Sequence, residues 1–119
     1  MLQTKRVYET PSSQDGYRIL IDRLWPRGKT KAAAAIDEWL KEVAPSVELR
    51  QWFHHDPEKF PSFKQRYQME LQTEPTCQAV AKLNDLLAKH IVVTLVYGAK
   101  DPVHNHAVVL KEWLEKEDA

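Results

Sequence analysis

The segment Ile91-Val92-Val93-Thr94-Leu95-Val96-Tyr97 limits what this chain can become more than any other stretch. It is rich in β-branched residues and almost free of polar interruption. A strand with one wet face alternates apolar and polar positions. A continuous apolar run of this length instead marks a strand covered on both faces, as in a parallel sheet. Gly98-Ala99-Lys100-Asp101-Pro102 then ends it. A second strand, Tyr17 to Leu24, carries Ile19-Leu20-Ile21 into the charged, stiff turn Asp22-Arg23-Leu24-Trp25-Pro26-Arg27-Gly28. Open α/β sheets bind ligands beyond the carboxyl ends of their strands. If these two strands are parallel neighbours, Asp22, Arg23, Arg27, Lys100, Asn105 and His106 meet in one crevice.

The other elements follow from punctuation and spacing. Thr4 to Tyr8 reads as a first strand, ended by Pro11 and the turn-rich Ser12-Ser13-Gln14-Asp15-Gly16. Ala32 to Val43 is ambiguous, because its alanines and the spacing of Ile36, Trp39, Leu40 and Val43 are helical. Ser46 is an N-cap for a helix from Val47 to about His54. Asp56-Pro57 opens a short turn over 57–60. Pro61 cannot sit four residues into a helix, so it begins a longer one with Phe63, Tyr67 and Leu71 as its stripe and Phe60 packing at its start. Pro75 to about Ala88 is a further helix with Ala79, Val80, Leu83, Leu86 and Leu87 inward. The last helix is predicted to start with Asp101 as cap and Pro102 at its first position. It buries Ala107, Leu110, Trp113 and Leu114 and frays over Glu115 to Ala119. The expected core combines Val7, Ile19, Ile21, Leu24, Val92, Leu95, Leu110, Trp113 and Leu114.

Composition narrows the class of protein. A chain of 119 residues with 43% hydrophobic content is expected to form one α/β domain over residues 1–119. Its 17 basic and 17 acidic residues cancel, so no global field draws it to nucleic acid or an anionic membrane, although a local basic patch is compatible with that balance. The lone Cys77 excludes an internal disulfide and fits a reducing cytoplasm. No apolar run approaches membrane-spanning length, and the first residues carry no apolar export segment. The expectation is a cytoplasmic protein with no membrane partner.

Several residues have chemistry to offer. His106, placed early in a helix whose amides favour anions, could donate to a phosphate or act as general acid or base near neutral pH. His104 should point to another face. Asp22 is either a second catalytic group or one half of a structural pair with Arg27. Arg23 and Arg27 are candidate anion clamps beside Lys100. Trp25 could stack on a base or sugar, Asn105 could orient the ligand, and His54 could approach from the side. The grouping His54-His55-Asp56 with His104 and His106 lacks the spacing of an established zinc site, so no metal is expected. No P-loop, dinucleotide glycine motif, CxxC pair or nucleophile elbow is present, which excludes the commonest cofactor classes and leaves the cofactor unknown.

Asp22-Arg23-Leu24-Trp25-Pro26-Arg27-Gly28, Trp52-Phe53-His54-His55-Asp56-Pro57, Arg66-Tyr67 and Lys100-Asp101-Pro102-Val103-His104-Asn105-His106-Ala107, in this order, resemble the YeaO-like branch of the family known as domain of unknown function 488. The resemblance covers nearly the whole chain. It implies a small Rossmann-like α/β fold, with a short, mostly parallel sheet flanked by helices, and a strand rather than a helix at Ile36 to Leu40. The broader family commonly follows its last strand with a Cys-Glu pairing and then Cys-His-Arg at the helix start. Here Tyr97 and Ala99 stand in the first pair, and Asn105, His106 and Ala107 in the triplet, so only His106 matches. The thiols, carboxylate and guanidinium of that pattern are absent from these positions. Two functions remain in view: an enzyme or ligand binder for a phosphate-bearing metabolite, nucleotide or nucleic-acid end, and a non-catalytic module recognising nucleic acid or an acidic partner segment.

Overall fold

Strand β4 (Val93–Tyr97) is buried at all five positions, as its uninterrupted apolar sequence requires. It pairs in parallel with β1 (Leu2–Arg6) on one side and with β2 (Tyr17–Leu20) on the other. A two-residue strand, β3 (Glu38–Trp39), adds to β2, so the order is β1-β4-β2-β3 and every pair is parallel. The two strands that should be parallel neighbours are so, with Ile19 beside Leu95 and Leu20 beside Val96. The computed structural model describes residues 1–117.

Helices α1 (Lys31–Ala34), α2 (Val47–Phe53), α3 (Phe60–Leu71), α4 (Thr76–Lys89) and α5 (His106–Glu117) complete the α/β domain. Ser46 caps α2, its Oγ accepting the Leu49 amide, and Asp56 caps a 3-10 turn at Pro57–Lys59. Pro61 takes the second position of α3 rather than the first. One face of the sheet, through Ile19, Ile21, Val93, Leu95 and Tyr97, packs into a single core with apolar residues of α2, α3, α4 and α5. Phe63, Tyr67 and Leu71 are all buried there, and the Tyr67 hydroxyl donates to the Val43 carbonyl at 2.6 Å.

The other face is not flanked in the same way. Val7, Leu20 and Val96 meet only Ala34 of the one-turn α1, with Trp25 and Ile36 against them. The rest of that face is closed by a polar knot. Arg18, 3% exposed, donates to Asp15 Oδ2 at 2.6 Å and to the carbonyls of Ala34 and Ala35, and Lys5 donates to the same carboxylate. Burial alone would raise the Asp15 pKa, but the Ser12 amide and the Lys5 and Arg18 side chains outweigh it and hold Asp15 below its ordinary value.

Five sequence expectations need correction. The stretch Ala32 to Val43 is neither one helix nor a strand over Ile36 to Leu40. Ala35 adopts a left-handed φ of 51° that stops α1, β3 covers two residues, and Lys41–Val43 forms a 3-10 turn. Its apolar residues mimic a helical stripe while serving different places: Ile36 packs on the second face, Leu40 and Val43 enter the main core, and Trp39 is exposed. Leu24 is 61% exposed, because the ladder of β2 ends once Ile21 donates to Val96 and the chain then leaves the sheet. Val92 and Trp113 are partly buried at the edge of the core, and Ile91 lies outside β4 in solvent. The first strand ends at Arg6, with Val7 still donating to Tyr97. Finally, α5 starts at His106, not Pro102. Asp101 caps a tight turn instead, and Asn105 caps the helix, its Oδ1 accepting the Val108 amide. The expected fraying reaches beyond the description, since the helix continues to Glu117 and Asp118 and Ala119 lie outside the described residues.

Candidate functional site

Beyond the carboxyl ends of β2 and β4 the chain diverges. From β2 it turns outward to β3; from β4 it passes into α5, which packs on β1 and α3. The gap is a cavity of about 730 Å³. Asp22, Arg23, Trp25, Arg27, Lys100, Asn105 and His106 all line it. His54 does not. It ends α2 in a left-handed conformation with its side chain exposed, and His55, also left-handed at φ 56°, lines the cavity in its place.

Asp22 ties the two strand ends together. Its Oδ2 accepts the Gly98 amide at 2.9 Å, and a Cβ at Gly98 would stand 3.0 Å from the carboxylate, close enough to make it shift by a few tenths of an ångström. The His106 ring is largely buried, and its Nε2 donates to the Ile21 carbonyl at 3.1 Å. A carbonyl can only accept, so this contact puts the proton on Nε2. The same nitrogen lies 3.2 Å from Asp22 Oδ1, yet that oxygen is sealed from solvent and has no hydrogen-bond partner among the described residues. The separation permits attraction when His106 is protonated; the alignment belongs to Ile21. His106 also sits edge-on to the buried Tyr67, whose phenol burial pushes well above its ordinary pKa.

Several predicted ligand contacts are committed to the scaffold. Arg23 donates through Nε and Nη2 to the carbonyls of Ala44 and Pro45, at 3.2 to 3.4 Å, and holds that segment as a cavity wall. The same wall is gripped from behind by Glu70, which accepts from the Ser46 amide and hydroxyl. Asn105 uses Oδ1 as the cap of α5 and Nδ2 to donate to the Asp101 carbonyl. Trp25 donates its indole N–H to Lys29 O at 2.7 Å. Asp101 accepts the amides of His104 and Val103 and pairs with the His104 ring at 2.8 Å. These contacts, led by the His104 amide, lower its pKa to about 2. The side chains of Arg27, Arg50 and Lys100, by contrast, enter no ion pair among the described residues. They line the cavity with their charge uncommitted.

The chemistry of the lining is lopsided. Phe53, Phe63, Trp25 and Leu24 supply apolar surface, and no cysteine, serine or threonine among the described residues lines the cavity. Cys77 lies on α4. No group of three or more His, Cys, Asp or Glu among the described residues is arranged to hold a metal ion. No described helix is long and apolar enough to cross a membrane. The arrangement suits holding an anion with an apolar or aromatic body; it lacks the side chains for the commonest covalent chemistry.

Sequence reasoning missed Tyr8, Arg50 and His55 as lining residues. Tyr8 was open to the same strand-end rule, since it follows β1, the other neighbour of β4. Arg50 carried no such signal, because only the packing of α2 turns it toward the cavity.

Comparison with known proteins agrees with the resemblance read from the motifs. The chain is 47% identical over 113 residues to the uncharacterised protein YeaO of Escherichia coli K12, covering 95% of this chain and 96% of that one. It is 42% identical over 113 residues to the uncharacterised proteins Rv3073c of Mycobacterium tuberculosis H37Rv and Mb3100c of Mycobacterium bovis, covering 95% of this chain and 92% of each. No solved structure matches it significantly. A family model described as the inactive DUF488-N3 subclade matches residues 1–119, and the chain belongs to that YeaO-like branch of the DUF488 family.

Proposed function

We propose that this protein is a non-catalytic binder of a phosphate-bearing nucleotide or nucleic-acid end, held in the cavity between β2 and β4. The observation that carries the reading is the pairing of uncommitted Arg27, Arg50 and Lys100 with an apolar, aromatic interior that offers no cysteine, serine or threonine among the described residues. The cations take the phosphate, with Arg27 and Arg50 able to do so bidentately. Phe53, Phe63 and Trp25 take the body of the ligand. The description of the subclade as inactive supports the absence of turnover, as does the loss of four of the five side chains of the broader pattern. His106 fits this reading as a strut, since its Nε2 proton is used on Ile21.

One observation favours a second reading, an enzyme acting on the same class of ligand: Asp22 and His106 stand 3.2 Å apart at the cavity. Calorimetric titration with a nucleoside monophosphate and its parent nucleoside, with phosphorus NMR of the mixture, separates the two. The binding reading expects the monophosphate to bind at least tenfold more tightly, without chemical change. Arg27→Ala and Lys100→Ala should each lose about tenfold, as expected for a hydrogen bond to a charged group. Equal affinity for the nucleoside would overturn it. Conversion of the phosphorus signal that His106→Gln abolishes would favour the enzyme.

A further inference from the structure

We propose that the cavity is the end pocket of a track for single-stranded nucleic acid, which runs from Tyr8 to Lys41 across the mouth of the sheet. This rests on the nucleotide reading above and extends it to a polymeric partner.

The track is a series of contacts that links three aromatic rings, two of them faced by cations, through hydrogen bonds to backbone and one edge-to-face pair. The Tyr8 ring, 43% exposed, is faced by the Arg6 guanidinium at 5.0 Å and by Lys29 Nζ at 5.7 Å. Its hydroxyl donates to the carbonyl of Arg27. The carbonyl of Lys29 accepts the Trp25 indole N–H, and Trp25 packs edge-to-face on Trp39 with centroids 5.4 Å apart. Trp39, 38% exposed, carries Lys41 at 5.3 Å over its ring and donates its own N–H to the Asp22 carbonyl at 2.7 Å. The series therefore begins beside one cavity residue and ends tied to another.

Tyr8 and Trp39 are large aromatics left in solvent, each fixed by a hydrogen bond to backbone, so their planes are held ready rather than ordered on contact. Lysines set against those planes give what a single strand uses, with stacking surfaces for bases and charges for the backbone between them. A duplex hides its base faces and would leave the aromatics idle. An acidic peptide would engage the cations alone. The balanced total charge confines the attraction to this strip, so affinity should carry a moderate salt dependence rather than the steep one of a strongly basic protein.

The test is fluorescence anisotropy of the full-length chain with a labelled 12-nucleotide single strand, with and without a terminal phosphate, alongside the monophosphate titration. The single strand with its terminal phosphate should bind at least tenfold more tightly than the mononucleotide. With three or four phosphates engaged, log K should fall with log salt at a slope of roughly −2 to −3. Lys29→Glu/Lys41→Glu lies outside the cavity and should leave mononucleotide affinity unchanged. It should weaken the oligonucleotide at least tenfold and flatten the slope by about 1.4, the share of two phosphate contacts. Oligonucleotide affinity equal to that of the mononucleotide, or indifferent to the double substitution, would overturn the track and leave the nucleotide pocket standing. Equal binding of duplex, or of polyglutamate with the same sensitivity, would also overturn it. Failure of oligonucleotide and mononucleotide alike would remove both readings.

Discussion

Two consecutive histidines, His54 and His55, hold left-handed backbone at φ 47° and 56°, and only the second lines the cavity. That conformation costs a residue with a Cβ roughly 1–2 kcal/mol. Glycine escapes the clash but brings back roughly 0.5–1 kcal/mol of unfolded-state entropy. Each of His54→Gly and His55→Gly should therefore stabilise the fold by about 0.5–1 kcal/mol. Neither exposed ring gives up a hydrogen bond. At ~2.1 cal/mol/K per residue, a 119-residue chain has an unfolding entropy of about 0.25 kcal/mol/K, so Tm should rise by roughly 2–4 °C. The two variants then part. His54→Gly should bind a nucleoside monophosphate as the parent does, whereas His55→Gly removes a ring from the cavity wall and should bind several-fold more weakly. Differential scanning calorimetry and isothermal titration on the two proteins measure both effects. A fall in Tm for both would refute the stored backbone cost. Unchanged affinity in His55→Gly would refute a role for that ring in the site.

Other perturbations test the scaffold. Leu110→Ala empties a fully buried position on α5 and should cost about 2–5 kcal/mol, read by urea denaturation; a change near zero would mean that the helix does not pack on the sheet as described. Asp101 has its pKa lowered from 3.8 to about 2, so its stabilising effect is present above pH 4 and is lost as pH falls through about 2. Melts from pH 6 to pH 2 should show Asp101→Ala less stable than the parent at neutral pH, with the gap closing between pH 4 and pH 2; a constant gap would contradict the assignment. Gly16→Ala would place a Cβ 2.2 Å from the Val92 carbonyl at a φ of +64° and should cost roughly 2–5 kcal/mol by the same denaturation assay, while a neutral effect would refute the close approach.

What was legible in the sequence follows from how local each cause is. Burial on both faces of a strand is written in the strand itself, so β4, β2 and the meeting of Asp22, Arg27, Lys100 and His106 at their ends could be read without coordinates. Ser46, Asp56 and the stripe Phe63, Tyr67, Leu71 were equally local. The start of α5 was not, because a carboxylate accepting amides two and three residues ahead makes the same pattern at Asp101 whether a helix or a turn follows. Asn105 offered a second cap four residues on, and only packing of His106 against Ile21 decides between them. The exchange of His54 for His55 turns on two backbone angles that no side-chain pattern announces. Arg23 read as a clamp for a ligand because its partners, Ala44 and Pro45, are carbonyls that sequence spacing does not reveal.

The central claim is that a phosphate-bearing ligand occupies the cavity between β2 and β4 without being transformed. Amide chemical-shift mapping of the labelled protein during titration with a nucleoside monophosphate tests it most directly. The account predicts saturable shifts confined to the cavity lining, centred on residues 22–27, 50–55, 63 and 98–106, weakened by salt, with the ligand recovered intact. Shifts centred on the shallow cleft at Gly16 and Lys89 to Val92 at the opposite end of the sheet, or no saturation at millimolar ligand, would contradict it.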